Sequence, residues 1–190
     1  MNSKWKWVYN PFEKVAGWKA FGIGILLLAM TTIVGYWGNM VFYGLQAKVV
    51  PTVTWSMVFS LQGLGLAVLV VVMYLTALVF AKHVRFQDIL GTVTLAKYPL
   101  FLMALSRLAF GKTVVSDVNQ LINSEFSFLL FGPLIVFGLF ALLLLIWEIA
   151  LLYNAFKVST NLKGVKCGVL FSAILVVSEI IIIVLVSSIY

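Results

Sequence analysis

Four ionisable side chains stand inside stretches that are otherwise apolar: Lys97, Arg107, Glu148 and Glu179. A charge at the centre of a bilayer costs about 2.5–3.5 kcal/mol on insertion scales, so each needs a partner, a route to water or a function. Lys97 and Arg107 are separated by roughly 15 Å at about 1.5 Å per helical residue, and each lies near its own end of a short span. Their long stems can carry the charge outward. That is the expected behaviour of Arg107; for Lys97 it stands level with a buried ion pair. Glu148 lies about two turns before the inner end of its span, too deep for a short stem to reach water. A Lys97–Glu148 pair at matching depth neutralises both groups, with Trp147 and Asn154 as further donors nearby. Glu179 is near the middle of the last span and has no partner at its depth. A protonated carboxyl, a wet cavity and a neighbouring subunit are its alternatives. Carboxylates on two helices also occur in proton- and cation-coupled carriers.

The elements that must hold these groups follow from composition. Hydrophobic residues make up 63% and charged residues 10% of the 190, with a mean hydropathy of +1.13. Soluble domains carry about 45–50% and about 25%. A soluble core could not hide this much apolar surface, and disorder needs the opposite composition. A helical span needs about 20 apolar residues. Ala20–Ala47 and Val49–Ala81 carry no charge, and Phe126–Trp147 extends past Glu148 to Phe156. Val165–Ile189 holds only Lys166 and Glu179, and Val93–Phe110 is a weaker stretch with Lys97, Pro99 and Arg107. The expected fold is all-α: a bundle of five transmembrane helices near 20–44, 55–80, 93–110, 127–156 and 165–189, with short interfacial helices.

The net charge of +7 fits a membrane better than nucleic acid, because cations collect on cytoplasmic loops. With the N-terminus inside, the inner segments hold nine cations (Lys4, Lys6, Lys14, Lys19, Lys82, Arg85, Lys157, Lys163, Lys166) against Lys48 and Lys112 outside. This bias requires the third span, and places the C-terminus outside. The first apolar run is too long for a signal core and lacks a cleavage site. There is no N-glycosylation acceptor.

Residues 1–19 read as an interfacial arm, with Trp5, Trp7, Tyr9 and Trp18 among four lysines. Asn10-Pro11-Phe12-Glu13 predicts a helix start, with Phe12, Val15 and Lys19 on one side. His83–Leu90 predicts a short interfacial helix leading into the third span, and Val114–Glu125 a second surface helix on the outer face. Two runs of small residues at four-residue spacing, Ala16-Ala20-Gly24 and Gly164-Gly168-Ser172, predict close helix packing. Gly35, Gly38, Gly63, Gly65, Gly132 and Gly138 are expected to pack or bend helices. Pro99 removes a backbone hydrogen bond and predicts a kink.

No phosphate loop, dinucleotide fingerprint, zinc-protease motif or nucleophile elbow is present, so no catalytic residue and no cofactor is expected. A single His83 and a single Cys167 exclude an intrachain disulfide and a His/Cys-rich metal site. His83 reads as a surface residue and Cys167 as a small buried one.

Phe86-Gln87-Asp88-Ile89-Leu90-Gly91 is followed by Pro99 in a short third span. Trp147 lies late in the fourth, and Asn161-Leu162-Lys163-Gly164-Val165-Lys166 opens the fifth. With five spans and a basic, aromatic N-terminal segment, the chain resembles the Yip domain family, over roughly residues 10–189. Eukaryotic members carry a long cytosolic N-terminal region, act in vesicle traffic and associate with prenylated Rab GTPases and with one another. This chain lacks that region and the Asp-Leu-x-Gly-Pro element before the first span, and is similar instead to the compact bacterial members. The resemblance implies a bacterial cytoplasmic (inner) membrane and a non-enzymatic protein acting by interaction or membrane organisation. Its expected partners are the lipid bilayer and other membrane proteins or further copies of itself, without a Rab GTPase and without nucleic acid. The alternative is a small transporter or channel subunit using Glu148, Glu179 and Lys97.

Overall fold

Apolar length and local breakers set the order of elements. The structure, a computed structural model, describes residues 9–81, 83–110 and 128–189. The surface helix expected over 114–125, together with Trp5 and Trp7, lies outside the described residues. Pro11 opens a single 3₁₀ turn, Pro11–Glu13, which Asn10 Nδ2 closes by donating to Glu13 Oε1 at 2.9 Å. The predicted helix does not run on through Val15, and Lys19 belongs to the next helix. The chain bends instead, and Gly17 at φ +59° leads into α1, Gly17–Trp37. An L side chain would be strained there.

α1 stops at Gly38, and Asn39 follows in the left-handed region at φ 52°. The next residues form a β-hairpin: β1, Met40–Tyr43, pairs antiparallel with β2, Gln46–Val49, from Met40↔Val49 to Tyr43↔Gln46. Gly44, at φ +58°, holds the first position of the two-residue loop, where a II′ turn needs glycine. The span expected at 20–44 is thus corrected: its helix ends at Trp37 and the rest is strand and turn.

Thr54 Oγ1 accepts from the Met57 amide at 3.3 Å and caps α2, Trp55–Phe80. The third crossing is two helices, α3, Phe86–Ala96, and α4, Pro99–Phe110. No separate helix covers 83–90. His83 sits at φ 58° before the helix, which then runs through Gly91 without a break. The break falls at Lys97–Tyr98, where Pro99 cannot donate to the preceding turn. α5, Phe128–Thr160, turns through Asn161 and Gly164, both at positive φ, into α6, Gly164–Ile189. Five stretches are long and apolar enough to cross a membrane: Gly17–Trp37, Trp55–Phe80, Phe86–Ala109, Leu134–Thr160 and Gly164–Ile189. The protein is a five-helix membrane bundle, with one hairpin that composition did not announce.

α1 lies along α3, α3 against α5, and α2 against α6 and β1. The α1–α3 seam is made by backbone approach. A Cβ on Gly24 would sit 2.6 Å from the Leu95 amide nitrogen, and one on Gly91 would collide with the Gly17 carbonyl. Ala20 is fully buried between them. Ala16 is exposed and precedes the helix, so the packing run is Gly17, Ala20 and Gly24. The second predicted run does not pack. Nothing lies within 4 Å of a Cβ on Gly164 or Gly168, and Ser172 is exposed. Gly164 serves the turn before α6 instead. Gly63 and Gly138 also face open space, whereas Gly35 meets Met40 and Phe42 of the hairpin. Two apolar cores result, one around Phe12, Met73, Ile89, Leu152 and Phe156, the other around Met40, Phe42, Leu100 and Phe137.

Candidate functional site at the hairpin tip

Chain geometry places the hairpin tip deep in the bundle. From the Trp37 end of α1, about four extended residues at roughly 3.4 Å each carry Gly44 about 14 Å back toward the bilayer centre. Lys97 lies about 16 Å from the Phe86 end of its crossing, Glu148 about 18 Å from Thr160, and Glu179 about 22 Å from Gly164, at 1.5 Å per helical residue. In a hydrocarbon core of about 30 Å all four meet near the middle. Irregular backbone is tolerated there only where protein or a cavity satisfies it. Gly65 of α2 lets the tip approach: a Cβ there would strike the Gly44 amide and sit 3.2 Å from Tyr43 backbone atoms.

The embedded charges supply the hydrogen bonds. Lys97 Nζ donates to the Gly44 carbonyl and to Glu148 Oε1, each at 2.6 Å. Both side chains are almost wholly enclosed, at 4% and 1% exposure. Glu179 Oε1 accepts from the Leu45 amide at 2.7 Å and its Oε2 from Gln46 Nε2 at 3.4 Å. The carboxylate expected to lack a partner is therefore held by the hairpin, a correction that arises because the tip and not a helix reaches its depth. One lysine and two glutamates share the site.

Arg107 does not snorkel. It is 8% exposed and its Nε donates to the Gly38 carbonyl at 3.2 Å, placing a cation on the C-terminal end of α1. Asn154 does not serve Glu148: its Nδ2 donates to the Tyr9 carbonyl at 2.9 Å. The Trp147 ring packs edge-on against Tyr98, with centroids 5.0 Å apart. His83 is exposed, and Cys167 is buried. Among the described residues no group of His, Cys, Asp and Glu could hold a metal ion.

Sequence reasoning named Lys97, Glu148 and Glu179 but missed Gly44, Leu45, Gln46 and Gly65, which join them. A signal was present: Gly38-Asn39 can stop a helix, and Tyr43-Gly44 followed by Pro51 punctuates the supposed span. The site can clamp a turn of backbone and keep three charges out of lipid. The space beside Lys97, lined also by Tyr43, Gly44 and Gln62, is about 10 Å³, scarcely one water. No family model, curated protein or solved structure matches the chain.

Proposed function

We propose that this is a non-enzymatic membrane protein of the Yip type, acting by interaction or membrane organisation in a bacterial cytoplasmic membrane. One observation carries the reading: the embedded charges turn inward, onto the hairpin and the end of α1, and the bundle presents apolar side chains outward. Leu26, Leu75, Leu143 and Ile180 are each more than half exposed, which in a membrane means exposed to lipid or to another span. The expected orientation is N-terminus inside and C-terminus outside, tested by reporter fusions at Met1 and Tyr190. Both ends on one side would remove the third crossing.

A second reading, a small carrier, is favoured by the helix break at Lys97–Tyr98, since discontinuous spans form substrate sites in transporters. Proteoliposomes separate the two. The interaction reading expects no proton or cation flux above empty vesicles, and discrete protein adducts from a photo-crosslinking residue at position 75 or 180. Saturable flux that is lost in Glu148→Gln would replace it with the carrier reading.

A further inference from the structure

Beside the hairpin, between α4 and α5, lies a cavity of about 190 Å³. Leu45, Pro99, Met103, Leu144 and Leu145 make an apolar wall, and among the described residues Glu148 is the one ionisable side chain that reaches it. Leu142, 54% exposed, stands at its rim, so the cavity opens sideways toward lipid. A dry apolar cavity of about 150 Å³ is known to hold benzene, so this one has room for a ring or a short alkyl segment.

The polar end narrows the ligand further. A carboxylate offers about four lone-pair sites on two oxygens. Lys97 takes Oε1, neutralises the charge and leaves an acceptor-only group on the cavity wall. A complementary ligand donates a hydrogen bond. It is also uncharged, because an ammonium would have to be stripped of water to reach the bilayer centre. We infer that this cavity is a binding site for a lipid-soluble alcohol or phenol, its apolar body against α4 and α5 and its hydroxyl donating to Glu148. The site reaches beyond the interaction reading and does not rest on it, so either can fail alone.

The test uses the full chain in lipid nanodiscs and a diazirine-bearing octanol as photoprobe, with labelled peptides mapped by mass spectrometry. Label is expected on residues 99–103 and 141–148 at several times the level on the lipid-facing stretch 176–184. Excess n-octanol should reduce it at least tenfold, while n-octane leaves it unchanged. Ala141→Trp, which fills the cavity from α5 without touching the ion pair, should also reduce it at least tenfold. Uniform label over all lipid-facing residues, persistence in a folded Ala141→Trp, or equal competition by n-octane overturns the proposal. If the variant does not fold, the octanol and octane arms on the natural chain decide.

Discussion

The third and fifth crossings invert the habit of soluble proteins. Of the five, the third is the least apolar, yet 61% of an 18-residue stretch of it is buried; the fifth is the most apolar, and the share there is only 22%. In water apolar residues go inside. In a bilayer the solvent is itself apolar, so burial is decided by which groups lipid cannot satisfy. The third crossing carries Thr92, Lys97 and Arg107, all buried with partners in other elements: Thr92 Oγ1 lies 2.9 Å from Ser159 Oγ, Lys97 meets Gly44 and Glu148, and Arg107 meets Gly38. The fifth offers lipid a face of Val176, Ile180 and Val184. Its inward side is Cys167, Phe171, Ile174, Ser178 and Ile182, and the half-buried Glu179 beside them reaches the hairpin.

Substitutions should follow this contrast. The largest effect is expected from Lys97→Met. It strands the Glu148 carboxylate, which costs about 3–5 kcal/mol when a buried pair loses one side. It also leaves the Gly44 carbonyl unpaired. Glu148→Gln alone should destabilise, and the Lys97→Met/Glu148→Gln double variant should recover part of the loss. A thermal-unfolding double-mutant cycle in detergent reads the coupling. Strictly additive losses would mean that the pair contributes nothing beyond its separate members.

Gly24→Leu should come next. Overpacking typically costs about 1–3 kcal/mol, and here the obstacle is the Leu95 and Thr94 backbone, which a rotamer change cannot clear. Yield and unfolding temperature should both fall. Unchanged behaviour would show that the α1–α3 seam separates freely.

Glu179→Ala removes the acceptor of the Leu45 amide, and hydrogen bonds to charged groups contribute about 1.5–3 kcal/mol. Its signature is local: hydrogen exchange at Leu45 and Gln46 should accelerate more than exchange in α2. Uniform acceleration would make Glu179 a general stabiliser and not a clamp on the tip. The smallest effect belongs to Gly168→Leu, on the open side of the fifth crossing. Thermal unfolding should move by no more than about 0.5 kcal/mol, as for most surface changes. A loss as large as that of Gly24→Leu would place a packed neighbour at this face.

Small residues teach the same contrast at finer scale. Ala16-Ala20-Gly24 and Gly164-Gly168-Ser172 have the same spacing, yet only part of the first run packs. Spacing places residues on one face of a helix. It does not choose which face meets another helix. That choice belongs to α3, whose polar side chains need cover and whose Gly91 lets Gly17 approach.

By itself the sequence determined the bilayer as solvent, the five crossings, a distortion of the third at Pro99 and the list of charges that lipid cannot hold. These are one-dimensional properties: apolar length against a hydrocarbon thickness, and a ring that lacks an N–H. Only the tertiary structure decided that Met40–Val49 leaves the helix and re-enters as a hairpin. Met40-Val41-Phe42-Tyr43 is as apolar as the helix before it, so hydropathy sees one continuous span. What makes the hairpin stable lies far along the chain. Gly65 gives it room, Lys97 takes its carbonyl and Glu179 its amide, and each contact is set by residues that only folding brings to the same depth.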